Sequence, residues 1–163
     1  MLRPAALATI GVYGFDLPHF LAALKGAHVG LLIDVRQRRG VRGREYSWAN
    51  AKRLQAALAD AGVRYSHHRD LAPTTELRQL QYREDDRRGV GKRSRVELAN
   101  EYVERYVREI LDQADLESIV ETMPPGAATA LMCVERDPEA CHRSLIADRL
   151  VDRFGLVAVH LRP

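Results

Sequence analysis

Lysine is almost missing from this chain. Of its 25 basic residues only Lys25, Lys52 and Lys92 are lysine, which leaves 22 arginines. A usage that leans toward Arg and Ala accounts for most of these positions, and recognition of phosphate or carboxylate by planar guanidinium groups accounts for others. A formal charge of +3 does not by itself establish nucleic-acid binding. Long apolar runs are also missing. No stretch approaches the roughly 18 residues that a membrane helix needs, so no membrane partner is expected. The opening "MLRPAALATIG" has one early Arg, but its short apolar part runs straight into a strand, unlike a secretory signal. Cysteine is scarce, with Cys133 and Cys141 alone. This fits a cytoplasmic location, where thiols stay free for packing, metal binding or chemistry. Internal repeats, an interdomain linker, the G-x-G-x-x-G dinucleotide loop and the Gly-x-Ser-x-Gly nucleophile elbow are all absent.

What is present alternates. "LATIG" at 7–11, "VGLLIDV" at 29–35, "VRYSHH" at 63–68, "AATALMCV" at 127–134 and "LVAVHL" at 156–161 read as five short strands. Helical stripes lie between them. Leu17, Phe20, Leu21 and Leu24 form one, and a second runs from Ser47 as N-cap through Trp48, Leu54 and Leu58. Ser94 and Glu97 make a capping box for a long helix carrying Tyr102, Tyr106 and Leu111. Asp115 caps a shorter helix, and Asp137 with Pro138 opens the last one. Residues 73–95, with "REDDRRGVGKRSR", have few apolar anchors and read as a weak helix and then a mobile, charge-rich insertion. Uninterrupted apolar strands alternating with helices predict one α/β domain over residues 1–163. The expected form is a Rossmann-like three-layer sandwich on a mainly parallel sheet of about five strands.

In such a sheet the strand ends line one edge, where ligands bind. Tyr13 and Gly14 leave the first strand there, Asp34 and Arg36 the second, His67 and His68 the third, Cys133 and Glu135 the fourth. On the following helix, Ile146, Ala147 and Leu150 set the inward face, and one turn back that face holds His142 and Arg143. Buried polar side chains require partners. Arg36 and Arg143 are therefore candidates to clamp an anion, and Cys141, near a helix N-terminus, or Cys133 is a candidate nucleophile. His142 is the candidate acid/base, with Glu135 or Asp34 to orient it and Tyr13 and Gly14 beside the ligand. The expected ligand is phosphorylated or of nucleotide type.

Plainer readings compete with this one. Cys133 ends an apolar strand as packing residues do, and His142, Arg143, Asp34 and Arg36 also suit a structural ion-pair network. Cys133, Cys141 and His142, with His67 or His68, supply enough soft ligands for a metal or a haem, although Cys-x7-Cys-His is not a tight zinc spacing. The segment "RQRRGVRGRE" at 36–45 carries five arginines and suits a nucleic-acid backbone in a non-catalytic binding module, with Tyr46 and Trp48 for stacking.

"TIGVYG", "LLIDVR", "AALADAGVRYSHHRDL" and "LMCVERDPEACHRSLIAD" resemble the bacterial and archaeal family catalogued as domain of unknown function 488, from about Thr9 to His160. The resemblance implies a small cytoplasmic α/β domain and no known reaction. Its motif C-x-E-x5-C-H-R falls on Cys133, Glu135, Cys141, His142 and Arg143, and its earlier motif on Asp34 and Arg36. This chain departs from the family pattern after "DVR", where "QRRGVRG" replaces a proline and serine stretch. It departs again at "DLAPT", where paired glycines are usual.

Overall fold

A computed structural model describes residues 6–163. The strands are β1 (Ala6–Ile10), β2 (Val29–Asp34), β3 (Arg64–His67), β4 (Ala128–Met132) and β5 (Val157–Leu161). They form one sheet in the order β3-β2-β4-β1-β5, parallel throughout. The α/β expectation is met, and the apolar runs show why. Every residue of β4 is buried, and so are the last four of β1 and of β2. Such strands are covered on both faces. The helices are α1 (Leu17–Gly26), α2 (Ala51–Asp60), α3 (Thr75–Arg88), α4 (Asn100–Glu109), α5 (Leu116–Thr122) and α6 (His142–Phe154). Right-handed crossovers put α1 and α2 on one face and α4 and α6 on the other. No helix among the described residues is long and apolar enough to cross a membrane. Residues 1–5 of the opening segment lie outside those described.

Three expected boundaries are corrected. Ser47 is not an N-cap, because Arg44–Ala49 is a 3₁₀ turn and α2 starts after Asn50. Asn50 is used instead as an acceptor for the Val41 amide at 2.7 Å. Ser94 and Glu97 make no capping box. Ser94 Oγ turns back to Gly91, Glu97 pairs with Arg88, and α4 begins only at Asn100. The reason is Arg95, which is pulled inward to Asp85 and holds the chain away from helix there. Finally, Asp137 opens a 3₁₀ turn over Pro138–Ala140, and the N-cap position of α6 is Cys141.

The charge-rich segment contains the expected helix, better capped and better anchored than its composition suggests. Thr74 caps a 14-residue α3 by accepting the Leu77 amide at 3.2 Å, and Gly89 ends it in a left-handed conformation at φ 70°. Its inward side carries Leu77 and Leu80 but also Gln81 and Asp85. The apolar anchors that the sequence lacks are replaced by polar ones.

Candidate functional site

The chain order creates a reversal between β2 and β4. From β2 it moves outward to β3, and from β4 it moves the other way to β5. The crossovers therefore part above the carboxyl ends of β2 and β4 and leave a crevice between them. A cavity of about 450 Å³ occupies that place. Residues from both strand ends, from the 38–42 turn, from α3, from the 92–98 segment and from the start of α6 surround it.

Its floor is a cluster of four side chains. Cys133 Sγ lies 3.3 Å from Glu135 Oε2 and 3.8 Å from His142 Nδ1, and Cys141 Sγ lies 3.7 Å from the same nitrogen. The other ring nitrogen of His142 stands 2.9 Å from the Val35 carbonyl oxygen. A carbonyl only accepts, so Nε2 carries a proton, and in the neutral ring the lone pair at Nδ1 faces both sulfurs. Tyr106 packs on the imidazole at 5.5 Å between ring centres and donates its hydroxyl to the Leu71 carbonyl at 2.6 Å. The ring is thereby fixed in plane and in tautomer.

Electrostatics at Glu135 and His142 run against simple burial. Burial raises the carboxyl pKa of Glu135, yet the net direction is down because Lys92, Arg95 and His142 surround it. Glu135 is thus an anion in a buried place. Burial pushes the Cys133 thiol well up, and Cys141 and Glu135 push it the same way, so the resting sulfur is protonated and faces the carboxylate. Burial opposes protonation of His142, but Cys133, the Val35 carbonyl and Glu135 outweigh it and its pKa rises.

Two expected anion ligands are otherwise engaged. Arg36 Nε and Nη2 grip both oxygens of Asp34 at 2.9 and 2.8 Å, and Nη1 donates to the Ala49 carbonyl at 2.9 Å. Its side chain borders the cavity, but three of its five N–H donors are taken by Asp34 and Ala49. Arg143 is fully buried and donates to the carbonyls of Glu135 at 2.6 Å and Arg136 at 3.1 Å. It shapes the Glu135 turn and does not line the cavity. Gly11 completes that turn, since a Cβ there would overlap the Glu135 carbonyl oxygen. Tyr13 borders the cavity. Gly14 does not, and it donates its amide to the Tyr46 hydroxyl at 3.0 Å. His67 and His68 stay outside the cluster, because His67 bonds the Arg36 carbonyl at 2.8 Å and His68 faces Asp70. Neither is the fourth soft ligand.

Lys92, Arg95, Arg78 and Tyr102 border the cavity and were not among the expected residues. Arg95 is buried against Asp85 at 2.9 Å, donates to the Ala140 carbonyl at 3.0 Å and approaches Glu135 at 3.6 Å. Gln81 bonds Asp85 through its amide nitrogen and accepts the Ala99 amide, both at 2.9 Å. The Gln81–Asp85 spacing of one helical turn was the available signal, a polar pair in line with Leu77.

Pairing leaves an imbalance at the rim. Arg36 has Asp34 and Arg95 has Asp85, while the charge of Glu135 raises the pKa of Lys92 against its burial without a direct ion pair. Arg78 donates to the neutral Gln37 and Tyr82, and Arg38 and Arg42 pair with no carboxylate among the described residues. Three guanidinium charges remain without a counter-ion. The 36–45 segment is therefore not one basic ribbon, because Arg36 and Arg39 turn inward, Arg39 reaching the Tyr65 hydroxyl at 3.4 Å.

Fold and site together define a parallel α/β domain with a cationic crevice over a buried Cys–His–Glu cluster. The family model described as Domain of unknown function DUF488 matches residues 16–150, and the chain belongs to that family. No curated protein and no solved structure matches it.

Proposed function

We propose that the crevice is an enzyme site for a small phosphorylated or nucleotide-type ligand. The observation that carries this is the uncompensated trio Arg38, Arg42 and Arg78 on the rim of a cavity floored by a thiol, an imidazole and a carboxylate. Guanidinium groups without counter-ions suit phosphate oxygens by paired, charge-assisted bonds. Because they rim a pocket, a compact anion fits better than a long backbone.

Cys133 is the nucleophile rather than Cys141, since it touches both Glu135 and His142. Its proton passes to His142 Nδ1 as the sulfur bonds an electrophilic carbon of the ligand. The bond from that carbon to its leaving group breaks, and the leaving group keeps the electron pair and takes the proton back from His142. Water then adds its oxygen to the carbon, releases the sulfur and returns a proton to it. The imidazolium formed in between keeps a carbonyl on one side and carboxylate charge near the other, which is what an acid/base histidine requires. Asp34 and Arg36 act only by holding the floor.

Calorimetric titration of the reduced, metal-free protein with inorganic pyrophosphate, sugar phosphates and nucleoside phosphates tests the reading. Binding should weaken about tenfold or more for Arg38→Ala with Arg42→Ala, in line with losing charged hydrogen bonds. Cys133→Ser should bind and not turn over. Failure of every phosphorylated probe would overturn the proposal. Tighter binding to single-stranded nucleic acid, with steep salt dependence, would instead favour a nucleic-acid module.

A further inference from the structure

We propose that Cys133, Cys141, His142 and Glu135 also form a binding site for one zinc ion, and that zinc there switches the cysteine chemistry off. Three ligand atoms, Cys133 Sγ, Cys141 Sγ and His142 Nδ1, already lie within 4.8 Å of one another. Zinc–sulfur and zinc–nitrogen bonds of about 2.3 and 2.0–2.1 Å at tetrahedral angles set sulfur and nitrogen about 3.6 Å apart. The two sulfur–nitrogen separations are 3.8 and 3.7 Å. His142 therefore stands at zinc spacing from each cysteine with no ion to impose it.

The surroundings fit as well. A metal-binding histidine usually donates its second nitrogen to a carbonyl or carboxylate. His142 meets that condition through the Val35 carbonyl at 2.9 Å. Glu135 Oε2 lies 3.3 Å from Cys133 Sγ but outside the mutually close set of the other three ligand atoms, and a rotation of its side chain on the cavity side brings it to the fourth position. Two thiolates, one carboxylate and a dication sum to one negative charge, and Lys92 and Arg95 stand next to it to offset that charge. Loading releases the two thiol protons to solvent, and no other bond changes. Bound this way, the Cys133 sulfur has its lone pair on the metal and His142 has lost its acceptor. Only this consequence rests on the proposed role of Cys133. The ion site itself rests on the cluster geometry.

The test uses the full reduced chain, stripped of metal. Zinc is titrated in competition with a chromophoric chelator, and cobalt(II) is added separately as a spectroscopic probe. One ion per chain and thiolate-to-cobalt charge-transfer bands are expected. Cys141→Ser and His142→Ala should each weaken zinc by more than the roughly 10–100-fold cost of losing an outer-shell partner. Should His142→Ala fail to fold, the near-isosteric Cys141→Ser carries the comparison alone. No uptake, no thiolate bands, or a Cys141→Ser protein that binds as the parent does would overturn the site. Iodoacetamide labelling of Cys133 separates the two proposals. Zinc uptake without protection by any phosphorylated probe counts against the ligand reading alone, and protection without zinc uptake counts against the metal alone. Labelling unaffected by bound zinc would overturn the switch.

Discussion

The turns that leave β2 and β4 begin alike and end differently. Each strand delivers a polar residue, then a valine, then another polar group: Asp34-Val35-Arg36 in one, Cys133-Val134-Glu135 in the other. At β2 the two polar residues face each other. Asp34 accepts the Arg36 amide and two of its guanidinium nitrogens, and the Tyr65 hydroxyl donates to it at 2.6 Å. At β4 the two also meet, Cys133 Sγ donating to Glu135 Oε2 at 3.3 Å, but the further partners come from α6 and from the 92–95 segment, and the contacts to sulfur are long. A buried ion pair with bidentate, mutual hydrogen bonds holds a fold together. A buried cluster assembled from three segments, with weak internal bonds, keeps capacity for a ligand.

The largest break in this comparison comes at β2. Arg36→Ala leaves Asp34 as an unpaired buried charge and should cost about 3–5 kcal/mol in denaturant unfolding. Gly11→Ala follows. The added methyl meets the Glu135 carbonyl, and overpacking of this kind costs about 1–3 kcal/mol, with the displaced turn shifting the NMR signals of Arg143 and His142. Glu135→Gln should cost only about 1 kcal/mol, the worth of a typical hydrogen bond, because Asp85 still holds Arg95. If it cost as much as Arg36→Ala, the contrast between the turns would fail. Arg38→Ala and Arg42→Ala should stay within about 0.5 kcal/mol of the parent, as exposed positions do, while anion binding weakens.

The smallest effect belongs at β5, away from both turns. Burial first, and then the neighbouring Arg143, lower the pKa of His160, whose Nδ1 lies 2.6 Å from the Thr9 hydroxyl. The unfolded chain then takes up the proton more readily than the folded one. Stability is full above the ordinary histidine pKa and falls as pH drops below it. Melting curves across that window should show a slight loss that His160→Gln removes.

Strands were legible because a buried parallel strand needs an apolar side chain on both faces, and "LLIDV" and "ATALM" satisfy that by themselves. The motif residues could be placed at one edge for the same reason. What they do there was not legible. Arg36 and Arg143 look like ligand clamps in the sequence, and only packing shows that Asp34 and two backbone carbonyls have taken them. The reverse holds for Arg95 and Asp85, which read as solvated charge in "REDDRRGVGKRSR". Their ten-residue separation gives no periodic signal, and the second partner of Arg95, the Ala140 carbonyl, is 45 residues further on.

The place of β4 in the sheet also sets an order of events. β1 and β2 never touch as strands, because β4 lies between them and pairs with each. A chain emerging from the ribosome thus has, for its first 127 residues, two hydrophobic strands with an empty slot between them. Until that slot is filled, the β2–β3 pair and β1 have no common neighbour, and long-range parallel pairing of this kind is slow. The segment that fills it ends in Cys133 and leads directly into Cys141 and His142. Joining the two parts of the sheet and assembling the Cys–His–Glu cluster are therefore one step, so a partly folded chain that bares its apolar edges does not yet carry the cluster.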